Sequence, residues 1–413
     1  MKSLRKHLRQ CLNMMTTNND KTELGIYIHI PFCVCKCRYC GFLSFEDADE
    51  DIHSRYTKAL TDEIRLYGSL YRDEYIVDTI FIGGGTPSVM KPEYTEQILA
   101  AVRESFDLAK TCEITIETNP GTLSREKLSA YRNCGINRLS IGVQSLNDNV
   151  LKTLGRIHSV REFEENFTLA RELGFDNINI DLMFAVPDAT MSIWKETLEK
   201  ALQLSPEHIS FYSLQIEEDT PFAKMYEEGI LEEIPDDTDR KMYRAAAELL
   251  SRNGYVHYEI SNAAKPGFVS RHNLKYWTMK EYLGFGLGAS SYFKGRRFQN
   301  TESLEEYMRT SGQSLLADSC CCFRAAGCAE DFHINTEFDN ASEFVFTGLR
   351  RLSGISLKEF KRFTGRSLFE VFPEAESNID RWQAAGLVRY DGQALKLTYD
   401  GIDISNDILS EFV

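Results

Sequence analysis

Positive charge is in short supply. The 413 residues carry 47 Lys and Arg against 62 Asp and Glu, a net charge of -15. That deficit argues against a nucleic-acid partner, which would want a basic stripe. Long apolar runs are missing too. No stretch approaches the ~20 residues of a membrane span. Lys2, Arg5, Lys6 and Arg9 stand near the N-terminus without an apolar segment behind them, so a secretory signal is not expected. A cytoplasmic protein is the expectation. There is no Gly-x-Gly-x-x-Gly turn after the first apolar run, which turns the fold away from an open nucleotide-binding sheet. No internal repeat is visible beyond a strand–helix alternation.

Cysteine, by contrast, is plentiful, with 11 in the chain. A disulfide scaffold does not suit this length or a reducing compartment. Cys33, Cys35, Cys37 and Cys40 are packed into one stretch. Cys320, Cys321, Cys322 and Cys328 form a second group, and Cys11, Cys112 and Cys134 are scattered. With 43% apolar and 26% charged residues, the chain suits one large domain and a smaller one.

Apolar patterning predicts strands at 24–30, 77–82, 112–117, 138–142, 178–184 and 208–216. Helical spacing falls between them at 49–71, 91–106, 124–134, 160–173 and 191–204. Six strands alternating with helices predict a parallel sheet with crossover helices. The expected fold class is α/β, a partial (β/α)6 TIM-like barrel. A further helix near 237–253 and a strand at 255–260 complete it. Residues 312–338 have no clean period and read as a linker. From 339 onward, short helices and a hairpin across Asp391-Gly392 predict a small α+β, winged-helix-like domain. The expected units are an arm at 1–23, a barrel at 24–260, a motif segment and linker at 261–338, and a C-terminal domain at 339–413.

In such barrels functional residues gather at strand C-termini. Here those places hold the cysteines, Gly83–Thr86, Glu117, Gln144 and Asp181. Cys33, Cys37 and Cys40 form C-x3-C-x2-C. Structural zinc usually takes four ligands in two separated pairs, and no second pair is near. A redox C-x2-C leaves Cys33 unexplained. Closely spaced thiolates suit an iron–sulfur cluster. Three of them leave one iron of a four-iron cluster open to another ligand.

This motif after the first strand resembles that of the radical S-adenosylmethionine superfamily. The resemblance implies a [4Fe-4S] cluster whose open iron chelates S-adenosylmethionine, and an electron that cleaves the sulfonium to a 5′-deoxyadenosyl radical. Tyr39 matches the family's aromatic before the last cysteine. Gly83-Gly84-Gly85-Thr86 resembles its methionine-binding strand end. Tyr27-Ile28-His29-Ile30-Pro31-Phe32-Cys33, Glu117-Thr118-Asn119-Pro120, Ser140–Ser145 and Leu154-Gly155-Arg156-x-His158 narrow the likeness to the oxygen-independent coproporphyrinogen III oxidase-like group. It covers about 24–310 and, more loosely, the C-terminal domain. By that likeness Tyr27, Gly84, Gly85, Thr86, Glu117, Gln144, Arg156 and Asp181 would contact S-adenosylmethionine. For any one of them the plain alternative is a salt-bridge network at the barrel mouth.

Two branches of the group differ in this sequence. The dehydrogenases carry a further cysteine where this chain has Phe42, and they have a longer N-terminal arm. The HemW-type heme chaperones carry His-Asn-x-x-Tyr-Trp, which His272-Asn273-Leu274-Lys275-Tyr276-Trp277 matches in full. An imidazole can ligate heme iron, and the aromatics offer flat faces to a porphyrin. The alternative is a surface loop packed on the barrel. The likeness implies a heme chaperone with heme-accepting apo-proteins and an electron donor as partners, as a monomer or homodimer. The rival is a porphyrin-directed radical enzyme, either a coproporphyrinogen III dehydrogenase or a heme-modifying methyltransferase. Cys320–Cys322 and Cys328 have no counterpart in the group and read as part of a variable linker.

Overall fold

A computed structural model describes residues 21–46, 48–316 and 323–413. Most of the N-terminal arm, Cys11 and Cys320–Cys322 lie outside the described residues. Six strands line up in chain order: β1 (Thr22–Ile30), β2 (Tyr75–Gly84), β3 (Asp107–Thr118), β4 (Arg138–Gln144), β5 (Ile178–Phe184) and β6 (His208–Ser213). Each pairs in parallel with the next. The crossovers carry α1 (Glu50–Tyr71), α2 (Pro92–Ser105), α3 (Arg125–Asn133), α4 (Val160–Glu172) and α5 (Met191–Leu204). After β6 comes α6 (Asp236–Arg252). Local chemistry sets the helix starts. Asp49 accepts the Ile52 N–H at the head of α1, and Ser159 with Glu162 forms a capping box on α4.

The strands have two unlike faces. Ile80, Ile82, Ile114, Ile116, Leu139, Ile141, Ile178, Ile180, Ile209 and Phe211 are buried in the main core. The alternate positions hold Thr79, Glu113, Thr115, Glu117, Arg138, Ser140, Asn179, Asp181, His208 and Ser210, on the opposite face of each strand. This inner face is a buried polar lumen.

The sheet runs well past 260, which corrects the expected division at 261 and the linker at 312–338. Beyond β6, β7 (Val256–Glu259) and β8 (Asn262–Ala264) pair antiparallel. On the other side, β9 (Tyr282–Phe285) pairs in parallel with β1. Then β10 (Ser290–Phe293), β11 (Arg296–Asn300) and β12 (Ala329–Ile334) continue antiparallel. The full order is β12-β11-β10-β9-β1-β2-β3-β4-β5-β6-β8-β7, an open sheet. Residues Ser314–Leu316 and Arg324–Ala326 form a hairpin rather than a linker. Those strands are three residues long and β12 is largely exposed, so no periodic pattern marks them. The first strand also starts earlier than expected, at Thr22.

Between β8 and β9 lies a short helix, α7 (Arg271–Trp277). The C-terminal unit begins with α8 (Glu337–Gly348) and holds a three-stranded sheet that includes the expected hairpin, Val388–Tyr390 with Ala394–Leu397. It joins the barrel edge through backbone bonds, Ile260 N to Arg350 O (3.0 Å) and Leu352 N to Tyr258 O (3.1 Å).

Candidate functional site

The C-terminal ends of β1 and β2 meet under the cysteine loop. Gly85 N–H donates to Ile30 O (2.9 Å) and Thr86 N–H to Phe32 O (2.8 Å), which ties the glycine turn to the loop. Gly84 has φ +116°, and a Cβ there would come within 2.7 Å of the His29 ring. Only glycine fits both the dihedral and the space. At Gly85 a Cβ would stand 3.0 Å from Cys33 Sγ. Cys33 Sγ lies 3.6 Å from Thr86 Oγ1. Arg156 donates from Nη1 to Cys37 Sγ (3.2 Å) and from Nη2 to Gly142 O. Cys33, Cys37 and Cys40 are half-buried, while Cys35 is exposed. Burial pushes the Cys33 and Cys40 thiols up. A bound metal's charge is what would hold them as thiolates. Among the described residues no three His, Cys, Asp or Glu side chains are grouped as a single-ion site. A polynuclear cluster sets its thiolates on separate irons and so needs a wider set than a single ion does.

Below the loop the lumen carboxylates begin. Glu117 accepts the Gly84 N–H (3.1 Å). Its carboxyl is pushed up to about 8, first by burial and then by the charge of Asp181. Asp181 accepts from Asn179 Nδ2 (2.8 Å) and Ser140 Oγ (3.4 Å), and burial raises it as well. Gln144 is buried with φ +67°, and its Oε1 has no hydrogen-bond partner. His29 Nε2 faces a carbonyl, Leu43 O (3.0 Å), so that nitrogen carries the proton. Nδ1 then accepts from the Tyr27 hydroxyl (2.9 Å). Tyr39 packs among Val150, Leu154, Met183 and Phe222. The expected residues Tyr27, Tyr39, Gly84, Gly85, Thr86, Glu117, Gln144, Arg156 and Asp181 thus gather around one mouth, beside the three cysteines.

Patterning missed three residues there. His29 orients Tyr27 from the next inward position on β1. Tyr212, on β6, has its phenol raised by burial and then by the charge of Asp181, with Tyr39 and Glu117 also bearing on it. The inward period His208, Ser210, Tyr212 was the available signal. Arg138 is the third.

His272 is elsewhere. It sits on α7, a helix and not a loop, and its side chain is 0% exposed. Nδ1 is 2.9 Å from Thr79 Oγ1 and Nε2 is 2.8 Å from the Tyr276 hydroxyl. The ring lies over Phe81, with centroids 5.4 Å apart, and Phe81 stacks in turn on Tyr27 at 6.4 Å. Burial takes the imidazole down to about 3. Glu113 accepts the Arg271 and His272 N–H groups (3.2 and 3.1 Å), while Lys275 pairs with Asp78 at 2.6 Å. Arg350 of the C-terminal unit lies over the Trp277 ring at 4.5 Å. The helix is the floor of the barrel, and the floor and the mouth are separate places.

Residues 27–201 match the radical SAM superfamily, and residues 336–404 match the HemN C-terminal domain. The Heme chaperone HemW of Escherichia coli (strain K12) is 40% identical, over 94% of this chain and 98% of that protein. The Heme chaperone HemW of Bacillus subtilis (strain 168) is 35% identical over the same shares. The solved structure of coproporphyrinogen III oxidase (HemN) from Escherichia coli, described as a radical SAM enzyme, covers 95% of this chain and 90% of its own. Its TM-score is 0.81 at 22% identity, so it shares the fold. Among the described residues no helix is long and apolar enough to cross a membrane. With these relatives matched over 94% of its length at 35–40% identity, the chain belongs to the HemW family within the radical SAM superfamily.

Proposed function

We propose that this chain is a heme chaperone on a radical S-adenosylmethionine scaffold. Cys33, Cys37 and Cys40 would hold a [4Fe-4S] cluster. Tyr27, Tyr39, Gly84, Gly85, Thr86, Glu117, Gln144, Arg156 and Asp181 would hold S-adenosylmethionine. His272 would carry heme for transfer to acceptor apo-proteins. The donor set fits these groups. The thiols share one loop, Gly84 lets the strand end turn tightly against His29 beneath that loop, and Gln144 Oε1 awaits a donor. When bound, the reduced cluster supplies an electron to the sulfonium ligand. Arg156 orients Cys37 and neutralises its charge, and Glu117 and Asp181 present acceptors to hydroxyl or amino groups.

The separation of mouth and floor carries the chaperone reading over an enzymatic one. Thr79, the partner of His272, and Gly84 lie on the same strand, about 17 Å apart at ~3.3 Å per residue. Phe81 and Tyr27 stand between them. While α7 is seated, this layer keeps His272 apart from the cysteine loop. Phe42, where a dehydrogenase has its further cysteine, is 68% exposed and brings no ligand. The reading also sets a requirement. Both imidazole nitrogens are engaged, so iron can bind only once α7 has left the floor.

The test is anaerobic reconstitution, followed by heme titration and supply of coproporphyrinogen III with S-adenosylmethionine. A heme absorbance band that is lost in His272→Ala, with no new tetrapyrrole product, is the expected result. Decarboxylated or ring-modified product overturns the chaperone reading.

A further inference from the structure

Arg138 opens β4, and its side chain is 2% exposed in the lumen. Among the described residues it makes neither ion pair nor hydrogen bond, and its Nε has no acceptor. Its register partner on β3, Thr115, also has a buried hydroxyl without a partner. A guanidinium buried alone is costly, and such groups are ordinarily paired. None of the carboxylates around it pairs with it. Glu113 takes two backbone N–H groups of α7, Asp181 takes Asn179 and Ser140, and Glu117 takes Gly84.

The register explains how a charge without contacts still acts. Glu117 is two residues beyond Thr115, and Ser140 is two beyond Arg138, so all four face the lumen. Asp181 meets Ser140 from β5. Arg138 therefore sits one layer below the Glu117–Asp181 pair. In a lumen of low dielectric its charge is felt across that distance. A direct salt bridge would consume the carboxylate oxygens, whereas a charge one layer away leaves them free.

We propose that Arg138 is a positioning residue for the mouth: it is the fixed positive charge against which Glu117 and Asp181 carry their negative charge, leaving the pair open to a cationic ligand. The inference rests on the reading of that mouth as an S-adenosylmethionine site. The charges then balance. Two carboxylates and one guanidinium leave one negative charge. The ligand's sulfonium, ammonium and carboxylate sum to one positive charge.

The other groups facing this wall do not take over the role. His208 and His272 are held neutral by burial, with the Arg138 charge adding to the effect in each. The phenols of Tyr27, Tyr212, Tyr258 and Tyr276 are kept protonated by burial. Lys275 is tied to Asp78 on the floor. Arg156 faces the cysteine loop, donating to Cys37 and Gly142.

The experiment is calorimetric titration of cluster-loaded protein with S-adenosylmethionine from pH 6.5 to 9.5, for the wild type, Arg138→Gln and Arg138→Lys. With Glu117 at about 8, wild-type affinity should rise about tenfold from pH 7 to its plateau. In Arg138→Gln the midpoint should move up by about one pH unit or more, with about a tenfold loss near pH 7.5 and recovery at high pH; Arg138→Lys should restore the wild-type midpoint. A merely structural role would weaken binding equally at every pH. A folded Arg138→Gln protein with an unmoved midpoint overturns the inference. If that variant does not fold, the wild type still decides. S-adenosylhomocysteine lacks the sulfonium charge and should show a shallower pH profile, and identical profiles for the two ligands overturn the inference. A wild type that binds no S-adenosylmethionine at any pH overturns the mouth reading as well.

Discussion

Asp78→Asn is the substitution that best tests how the floor is held. Asp78 and Lys275 are 8% and 5% exposed at the side chain and stand 2.6 Å apart, with Arg271 at 3.4 Å from the same carboxylate. Asparagine keeps the shape but removes the charge, which leaves the Lys275 ammonium buried without its partner. Breaking one side of a buried pair costs about 3–5 kcal/mol. The protein can escape that cost locally by letting α7 swing out and Lys275 reach water. The helix has only seven residues, and its other anchors include Glu113 at its N-terminus, the Thr79–His272 contact, Phe81 against the His272 ring, Tyr282 against Tyr276 and Arg350 over Trp277. At about 1.4 kcal/mol per factor of ten, opening should become about two to three and a half orders of magnitude more frequent. Hydrogen exchange of the 272–277 amides reads this directly, with amides in the middle of β3 as the internal control. Heme association should accelerate in parallel, because opening exposes His272. Adding Lys275→Met to Asp78→Asn removes both charges and should return most of the protection. Exchange within about fivefold of wild type in Asp78→Asn would refute the claim that this ion pair fastens the floor.

Cys33→Ala, Cys37→Ala and Cys40→Ala should each abolish the iron–sulfur absorbance, whereas Cys35→Ala, at an exposed position, should keep it; the reverse pattern would overturn the ligand assignment. Gly84→Ala forces φ +116° on an L-residue and sets its Cβ 2.7 Å from His29. A loss of about 1–3 kcal/mol is expected in thermal unfolding, together with S-adenosylmethionine affinity reduced at least about tenfold and retained cluster iron. Glu63 is fully buried and accepts from Tyr307 (2.6 Å), Asn300 (2.7 Å) and Gly286 (3.0 Å), while burial pushes it from 4.5 up to about 7. The folded chain therefore keeps a proton that the unfolded chain loses. That stabilisation is complete below about pH 4.5 and is lost as pH rises to about 7, a difference of roughly 3 kcal/mol. Other raised carboxylates slope the same way, so the test is the difference between wild type and Glu63→Gln, whose melting temperature should fall less between pH 5 and 8.

The parallel core was legible because each of its units is long and regular. Ile178–Phe184 and Met191–Leu204 fall where patterning places them. The cysteine loop was legible because its spacing is chemistry rather than propensity. The extension β9–β12 was not. It is made of short strands, and its packing comes from contacts far apart in sequence. Tyr71 holds Arg324 by both backbone groups, and Glu63 binds Gly286, Asn300 and Tyr307. No local period encodes such pairs. The motif at 272–277 was visible as letters, but its burial was not. That depends on Glu113, Asp78 and Thr79, which lie more than 150 residues away.

The two faces of the strands explain why this fold leaves room for such sites. Outward positions such as Ile80, Ile116, Leu139 and Ile180 are 0% exposed and pack into the main core. Each such side chain contributes about 1.5–3 kcal/mol by burial, so the outer face suffices to hold the sheet. The inward positions need not add to it. Thr79, Thr115, Arg138, Ser140 and Asn179 are polar and buried, Glu117 and Asp181 are half-buried, and Thr115 Oγ1 and Arg138 Nε have no hydrogen-bond partner. Leaving such groups incompletely paired costs free energy, and a packed apolar lumen would be more stable. The cost is tolerable because the outer layer exceeds it, and it is useful only if ligands complete the wall. Conservative changes inside and outside should therefore part company. Ile116→Val on the outer face should cost about 0.5–1.5 kcal/mol of stability and leave ligand affinity alone. Thr115→Val on the inner face should cost little stability, because its hydroxyl has no partner to lose, and should show its effect in ligand binding. If Thr115→Val instead destabilised the chain as much as Ile116→Val, with binding unchanged, the lumen would be ordinary core and the division between the two faces would fall.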